Sequence, residues 1–394
     1  MLAVCTLLSY NAKQEDCGIR YFPRSGQGAG HVGGIGFLMI KKITVIGAGA
    51  TGHMVAAVMS IRGFEVTLTD DERFAARLGA IQKLGGIQLR GGMRGTGMPA
   101  KITTDASDAI PGAELICVDV PADRHEEIAR RIAPYVSDGQ HILIIPGNLG
   151  SFVFRRVFDE LGVTARVTLT EKEGNIGPCR LTADGEVTTG FGLNLKGKVA
   201  SLPSTDTERV IAALDGVFEY SANKNVFEGV INSGNMINHI ASTVLSANEI
   251  EHHGDTFSLF KYAFTPASIR CILRIRDERK KVIDAMGLTE HGNPTGFLDD
   301  IQHIEDHPEI HNFYEYMDGP NALDHRYLHE DCGCAGAFAV SVAKRLGIEV
   351  PVLESFVRVA GAINGRDYLG ADGRSLENLG FAGNMSLEEI YAKI

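Results

Sequence analysis

Three glycines around residue 50 have the spacing of a phosphate-binding turn. Gly47, Gly49 and Gly52 follow a β-branched apolar run, Ile43–Ile46, and precede a helix-like stretch, Met54–Ile61. In such a turn the first glycine permits a tight bend, the second lets the backbone approach a pyrophosphate, and the third allows close helix–strand packing. Free N–H groups at the start of the helix then face the anion. The predicted cofactor-binding residues of this turn are Gly47, Gly49, Ala50, Thr51 and Gly52.

A carboxylate stands where the same strand–helix–strand unit would meet the adenosine ribose. Asp70 ends a second strand-like run, Glu65–Thr69, and could accept hydrogen bonds from the ribose hydroxyl groups. Its charge would repel a 2′-phosphate, which favours NAD over NADP. Arg73 is close enough in the chain to leave NADP open. We therefore predict a hydride-transferring cofactor, NAD, with NADP as the alternative.

Hydride transfer to a C=O or C=N bond requires a proton donor, and histidine serves this purpose near neutral pH. The chain has 13 histidines. His239 differs from the others because it lies in Asn235–His239, at the start of the predicted helical half of the chain. We expect substrates to enter a cleft there, between the two domains.

Another histidine cluster has some features of a metal site. His325 and His329 are one helical turn apart and close to Asp331. Cys332 and Cys334 follow directly, but this Cys-x-Cys pair lacks the Cys-x-x-Cys spacing of the common zinc sites. We predict no metal site.

The elements that must position these residues change character along the chain. Strands and helices alternate from Met39 onward, which predicts a doubly wound parallel sheet. After Gly185 the short segments Val187–Thr189 and Gly197–Leu202 favour antiparallel strands, and from Val226 onward the periodicity is helical. We predict an α/β N-terminal Rossmann-type dinucleotide-binding domain, residues 39–225, followed by an all-α C-terminal domain, residues 226–394. The expected strands include Leu115–Val120, His141–Ile145 and Ala165–Leu169, and the clearest expected helices are Val230–Ile250, Pro266–Met286 and Ala335–Leu346.

Composition excludes several classes of protein. The 394 residues are 44% hydrophobic and 22% charged, with a formal net charge of -11. No basic stripe with interleaved aromatics occurs, which argues against nucleic acid as a partner. The apolar runs are far shorter than the ~20 residues that cross a bilayer. Seven cysteines, an odd number, predict a reducing compartment, the cytoplasm, rather than a disulfide framework.

The first 38 residues do not share the pattern of the remainder. They are rich in glycine and have little hydrophobic periodicity before Met39. We expect residues 1–38 to be a disordered extension or to precede the true start of the protein.

Two segments of the helical half resemble one family of enzymes. Arg326–Asp331 resembles the Arg-Tyr-x-x-Glu-Asp signature of the opine dehydrogenases, the octopine/nopaline dehydrogenase family, and Asn235–His239 resembles that family's Asn-x-x-x-His segment. The similarity runs in order from about Met39 to the end of the chain, and it also includes Pro146–Gly150, Glu171–Arg180 and Gly373–Gly380.

The resemblance implies an activity and roles for three residues. Opine dehydrogenases reductively join the amino group of an amino acid to a 2-oxo acid such as pyruvate, with a reduced nicotinamide, and catalyse the reverse oxidation. By this resemblance His239 is the acid–base residue, Asp331 orients it, and Arg326 anchors a substrate carboxylate. Asp331 would serve equally as a helix N-cap, and Arg326 as an ordinary ion-pair residue.

Departures from the family pattern and rival functions remain open. Ile240 stands where the family commonly has proline, and the segment Cys332–Phe338 is unusual, so the amino donor itself could be unusual.

A ketopantoate reductase-like 2-oxo acid reductase would use a lysine as its acid, and a non-catalytic NAD-binding redox sensor would need no acid. The expected partners are small-molecule substrates, and a homodimer is compatible with the sequence. The lysines available in the helical half include Lys261, Lys280 and Lys281.

Overall fold

The computed structural model describes residues 40–190, 192–296, 298 and 319–394. The extension expected at residues 1–38 lies outside these described residues. The described chain forms two compact units. One holds residues 40–120 and 124–226, and the other holds the described residues from Phe227 to Ile394 together with the short segment Pro121–Asp123.

The first unit is built on an eight-stranded sheet with the order β12-β11-β8-β7-β6-β1-β2-β5. The run from β8 through β7, β6, β1 and β2 to β5 is parallel throughout, so the predicted parallel sheet is confirmed. The strands of this unit are β1 (Lys42–Ile46), β2 (Glu65–Thr69), β3 (Ile87–Gly91), β4 (Gly95–Gly97), β5 (Lys101–Thr103), β6 (Leu115–Val118), β7 (His141–Ile144), β8 (Thr168–Lys172), β9 (Cys179–Ala183), β10 (Glu186–Thr189), β11 (Lys196–Leu202) and β12 (Glu219–Ala222).

Helices cover both faces of the large sheet. Alternate residues of β6 enter two different apolar clusters: Cys117 packs on the side of Met54, whereas Ile116 and Val118 pack on the side of Phe154. This burial on both faces explains why the central strands are continuous apolar runs. The helices of the unit are α1 (Ala50–Ile61), α2 (Ala75–Leu84), α3 (Ala106–Ala109), α4 (His125–Ile132), α5 (Gly150–Glu160) and α6 (Thr207–Ala213).

The strand order reverses between β1 and β6. The chain runs from β1 to β2 on one side, and β6 later pairs with the other side of β1. Ligands of doubly wound sheets bind at such a switch point, outside the carboxyl ends of the strands. The glycine turn after β1 and Asp119 after β6 both lie at this edge.

The expectation of antiparallel strands after Gly185 was only partly right. Strand β10 is antiparallel to β9 but parallel to β3, and β11 is antiparallel to β8 but parallel to β12. Alternation of side chains reports the faces of a strand and not the direction of its neighbours. Strand β8 also begins at Thr168 rather than Ala165 and extends to Lys172, because its buried polar residues conceal the strand from a hydrophobicity pattern.

The second unit is helical, as the fold class predicted. The expected single helix Val230–Ile250 is instead a series of three helices. The first break falls at Asn232, whose side-chain amide donates to the backbone oxygens of Glu228 and Thr289, each at 2.9 Å; such side-chain bonds compete with helix continuation. Among the described residues from Val226 onward, the helices are α7 (Val226–Ile231), α8 (Gly234–Leu245), α9 (Ala247–His253), α10 (Leu259–Tyr262), α11 (Pro266–Ala285), α12 (Arg326–His329), a π-helix (Asp331–Gly336), α13 (Ala337–Leu346), α14 (Pro351–Asn364) and α15 (Leu387–Tyr391).

Within the described ranges, no helix combines the length and the apolar character that crossing a membrane requires.

Candidate active site

The glycine turn has the geometry that its sequence predicts. Gly47 has a φ of 134°, in the region that favours glycine, and a Cβ there would lie 2.3 Å from the backbone oxygen of Asp119. A Cβ on Gly52 would lie 1.9 Å from the backbone oxygen of Gly47. Both positions therefore exclude any side chain. Gly49 faces open space, because a Cβ on it would meet no heavy atom within 4 Å, so a ligand can approach the backbone closely there.

The start of helix α1 is suited to an anion. Gly49 is its N-cap and supplies no side-chain hydrogen bond, and the first turn, which includes Ala50 and Thr51, has no acidic residue among the described positions. The first N–H groups of a helix lack intrahelical acceptors and carry partial positive charge. These residues fit a dinucleotide pyrophosphate, which would neutralise that end of the helix.

Asp70 is used within the protein itself. Its carboxylate is buried, Oδ2 accepts a 2.6 Å hydrogen bond from the backbone N–H of Ala48, and Oδ1 accepts one of 2.9 Å from the backbone N–H of Asp71. Arg124 donates a further bond of 2.8 Å to Oδ1. Asp70 thus fixes the glycine turn to the end of β2. Its contact with ribose hydroxyl groups stays a prediction.

In the helical unit, His239 and Asp331 lie side by side although they are distant in the sequence. The distance from His239 Nδ1 to Asp331 Oδ2 is 2.7 Å, and the two residues are 5% and 4% exposed. Helix α8 carries the histidine and the π-helix carries the aspartate. A carboxylate at Nδ1 fixes the ring orientation and supports a positive charge on the imidazole.

Burial tunes the protonation of this pair. Loss of solvation raises the pKa of the Asp331 carboxyl to about 7, against a lowering influence from the charge of Arg326. The raised pKa brings the proton affinity of this carboxyl closer to that of the imidazole to which it is hydrogen-bonded, so the pair can share a proton. A pair of this kind is suited to acid–base catalysis of a reversible reaction.

A π-helix, rather than a helix N-cap, places Asp331. The alternative interpretation of Asp331 as the cap of a helix near Ala335 is wrong, because Asp331 is itself the first residue of the helical segment Asp331–Gly336. A Cβ on Gly336 would lie 2.9 Å from Val357 Cγ2 and 3.0 Å from the backbone oxygen of Asp331. Glycine at this position lets the widened turn pack tightly.

Tyr327 completes the immediate surroundings of the histidine. Its ring stacks on the imidazole of His239, with 3.7 Å between the centroids and 17° between the planes. Sequence reasoning did not assign Tyr327 a role, although it is the second residue of the Arg-Tyr-x-x-Glu-Asp signature. Its place in that signature was the sequence feature that could have identified it as a site residue.

Arg326 lies next to this ring, and its side chain is partly exposed. Its guanidinium is 5.1 Å from the centroid of the Tyr327 ring, and Nη1 is 3.6 Å from Oε2 of Glu330. The side chain of Arg326 is 29% exposed. Burial raises the pKa of the Glu330 carboxyl, which weakens its competition for the arginine. Arg326 can therefore still attract an anionic ligand.

The residues of the metal-like cluster have separate partners. His329 bonds through Nε2 to Asp324 and through Nδ1 to the Tyr368 hydroxyl, the latter at 2.7 Å. His325 accepts a bond of 3.3 Å from the backbone N–H of Tyr327. Within the described part of the chain no group of three or more His, Cys, Asp and Glu side chains is arranged to hold a metal ion.

Comparison with known proteins assigns the two halves of the chain. Residues 222–364 match the family model described as NAD/NADP octopine/nopaline dehydrogenase, alpha-helical domain. Residues 43–150 match the model of ketopantoate reductase PanE/ApbA. An opine dehydrogenase of Arthrobacter sp. (strain 1C) is 27% identical over 358 residues, which cover 87% of this chain and 96% of that protein. Over most of its length the chain is therefore similar to opine dehydrogenases.

Solved members of the family share the fold. An octopine dehydrogenase in complex with NADH and L-arginine superposes with a TM-score of 0.62 and 22% identity, over 89% of this chain and 97% of that one. A yersinopine dehydrogenase with bound NADP+ has a TM-score of 0.57 and 13% identity, over 90% and 98% of the two chains. The resemblance drawn from the Arg326–Asp331 and Asn235–His239 segments is thus confirmed at the level of family and fold. The roles of individual site residues stay predictions.

Proposed function

We propose that this protein is an NAD(P)-dependent opine dehydrogenase, which reductively condenses a 2-oxo acid with the amino group of an amino acid and catalyses the reverse oxidation. The observation that carries this proposal is the buried 2.7 Å hydrogen bond between His239 and Asp331, inside the segment that matches the family's helical domain. Residues 39–225 would bind the dinucleotide, and residues 226–394 would supply the acid–base pair.

The turn from Gly47 to Gly52 holds the pyrophosphate through the backbone N–H groups that begin helix α1. Reduced nicotinamide, when bound, supplies a hydride to the C=N carbon. That C=N bond forms when the amine attacks the carbonyl carbon of the 2-oxo acid and water leaves. His239 carries one proton from the attacking nitrogen to the carbonyl oxygen and donates a second, so that the oxygen leaves as water. The nitrogen keeps its remaining proton, and hydride addition to the C=N carbon then gives a neutral secondary amine. Asp331 keeps Nδ1 engaged, so that proton exchange takes place at Nε2.

Charge explains the choice of substrates. Both a 2-oxo acid and an amino acid carry a carboxylate, and the Arg326 guanidinium lies 5.1 Å from the centroid of the Tyr327 ring, which in turn stacks on His239. A guanidinium binds a carboxylate through two parallel hydrogen bonds, which also fixes its orientation. We assign Arg326 to the carboxylate of the 2-oxo acid.

A ketopantoate reductase-like activity is the second candidate, because residues 43–150 match that family's model. Two of the three candidate lysines are engaged elsewhere: Lys280 forms an exposed ion pair with Asp284 at 2.9 Å, and Lys261 Nζ lies 5.6 Å from the Tyr262 ring centroid. A non-catalytic redox sensor would have no use for a buried His–Asp pair. Both arguments favour the opine reaction.

The deciding experiment is NADH oxidation with pyruvate, oxaloacetate or 2-oxoglutarate, each with and without the twenty amino acids. Turnover that depends on the amine supports the proposal. Turnover without amine supports the ketopantoate reductase-like activity, and binding of NADH without turnover under any condition supports the sensor. The His239→Ala variant is the control for background oxidation.

We further propose a cytoplasmic location and a role in amino acid metabolism. The seven cysteines of the chain, an odd number, support a reducing compartment. A homodimer is compatible with this function, and size-exclusion chromatography with light scattering would measure it.

A further inference from the structure

Three arginines surround one phenylalanine beside the glycine turn. The guanidinium carbons of Arg73, Arg77 and Arg124 lie 6.0, 5.6 and 5.1 Å from the centroid of the Phe74 ring. Arg77 also donates to the backbone oxygen of Ala48, at 3.2 Å. The cluster therefore lies at the carboxyl end of β2, where the adenosine end of a dinucleotide binds in this type of sheet.

Asp71 holds two of these arginines at once. Its Oδ1 accepts from Arg73 Nε at 2.9 Å, and its Oδ2 accepts from Arg124 Nη2 at 2.7 Å. Glu127 bonds to the same two arginines, at 2.6 Å and 2.9 Å. Hydrogen bonding to Arg73 holds the pKa of the Asp71 carboxyl well below its usual range, so Asp71 is charged at neutral pH.

Asp70 and Asp71 differ in what a ligand can reach. The Asp70 side chain is 1% exposed, and its oxygens already accept bonds from Ala48, Asp71 and Arg124. Asp71 is 18% exposed and Arg73 is 64% exposed. A ligand at this edge would therefore meet Asp71 and Arg73 before it meets Asp70.

Resting on the proposed dinucleotide function, we propose that Asp71 selects NAD over NADP, and that Arg73 and Arg124 form a 2′-phosphate site which Asp71 keeps closed. A 2′-phosphate is a doubly charged anion that pairs with guanidinium groups. Asp71 accepts hydrogen bonds from both guanidinium groups. Its negative charge would also repel the negatively charged 2′-phosphate. Asp70 is a positioning residue that fixes the glycine turn through Ala48.

The test compares dissociation constants for NADPH and NADH in the absence of substrates. The chain has no tryptophan, so the fluorescence of the bound nucleotide is a clean signal, with calorimetry as a second measurement. In Asp71→Asn the ratio Kd(NADPH)/Kd(NADH) should fall at least about tenfold, as expected for one additional charge-assisted hydrogen bond to the phosphate. Adding Arg73→Ala to Asp71→Asn should reverse most of this fall.

Asp184→Asn is the matched control. Asp184 pairs with Arg77 at 3.2 Å, whereas the described acidic partners of Arg73 and Arg124 are Asp70, Asp71 and Glu127. Its removal should therefore leave the ratio unchanged. Calorimetry also gives the dissociation constants of adenosine 2′,5′-bisphosphate and 5′-AMP. These two nucleotides differ only by the 2′-phosphate and lack the nicotinamide half.

The inference is overturned if Kd(NADPH)/Kd(NADH) is unchanged in Asp71→Asn or changes equally in Asp184→Asn. It is also overturned if the unmodified protein binds NADPH more tightly than NADH. If opine turnover is intact in that case, the proposed function survives alone. If both nucleotides bind as expected but no pair of 2-oxo acid and amine reacts, the inference survives and the proposed function fails. Binding of neither nucleotide overturns both.

Discussion

The imidazole of His239 lies face to face on the ring of Tyr327, with 3.7 Å between their centroids. An aromatic face favours a cation above it and limits the rotation of a stacked ring. Tyr327 is itself fixed in a small apolar cluster with Phe257 and Leu259. The His239 imidazole is thus oriented through its edge by Asp331 and through its face by Tyr327.

Loss of the stacked ring should reduce turnover without abolishing it. In Tyr327→Leu we expect kcat to fall about tenfold, because the ring orientation loosens and the imidazolium loses about 1 kcal/mol of support. Tyr327→Phe keeps the ring and should stay within about twofold of the unmodified enzyme. Steady-state kinetics of both variants, with their pH profiles, make the measurement. Equal losses in the two variants would point to the hydroxyl group instead.

Removal of the acid–base pair should affect chemistry and spare cofactor binding. We expect His239→Ala to lower kcat by roughly 10²–10⁴-fold, and Asp331→Asn, which keeps the shape and removes the charge, to lower it as well. The two losses should be clearly less than additive in the double variant, since the residues act as one unit. NADH titration is the control. Near-normal turnover in His239→Ala would contradict the assignment.

Removal of the carboxylate anchor should appear in a different kinetic constant. Arg326→Ala is expected to raise KM for the 2-oxo acid, by about tenfold or more, with a smaller change in kcat. Arg326→Lys keeps the charge but not the planar fork, and should recover only part of the loss. Initial rates at varied 2-oxo acid and saturating amine and NADH separate the two constants. A change confined to KM for the amine would move the anchor to the other substrate.

A buried carboxyl in the first unit should make stability depend on pH. Asp119 is 6% exposed, neither carboxyl oxygen has a hydrogen-bond partner among the described residues, and burial raises its pKa to about 8. The folded protein therefore binds this proton more tightly than the unfolded chain does, whose aspartates titrate near ~3.9. The stability that this group contributes is complete below about pH 4 and is lost as pH rises to about 8.

Asp119→Asn should remove this dependence. We expect the variant to match the unmodified protein near pH 4 to 5 and to exceed its unfolding free energy at pH 8 by about 1–3 kcal/mol, since the cost of an unpaired buried charge disappears. Urea unfolding without cofactor at both pH values is the measurement. The exposed Asp215 provides the control variant Asp215→Asn. Identical pH dependence in Asp119→Asn and the unmodified protein would refute the prediction.

Steric limits between residues close in the chain, and burial of apolar side chains, account for the features that the sequence predicted well. The turn Gly47–Gly52 is specified by steric limits within a few residues, and the apolar runs of β1, β6 and β7 are specified by burial on both sheet faces. The pairing of His239 with Asp331 is of another kind. These residues are separated by 92 positions, and only the resemblance to a family brought them together before the structure did.

The features that were missed depend on contacts between distant segments. Nothing in the order of residues indicates that Arg124 reaches Asp70 and Asp71, which lie on another strand–helix connection. The break in the expected helix Val230–Ile250 depends on a bond from Asn232 to Thr289. The directions of β10 and β11 depend on which strands they meet. Periodicity describes one element at a time and cannot report such pairings.

The π-helix that begins at Asp331 shifts the order of side chains around the helix axis. The backbone N–H of Ala337 bonds to the oxygen of Cys332, five residues earlier instead of four. One extra residue in a turn rotates the side chains that precede the turn by about 100° around the axis, relative to those of the helix that follows. In an uninterrupted α-helix the same sequence would send the Asp331 carboxylate to a different side of the helix from the one that faces His239. The contact between Asp331 and His239 therefore depends on a single extra residue of backbone, which precedes helix α13 and leaves the packing of that helix unchanged.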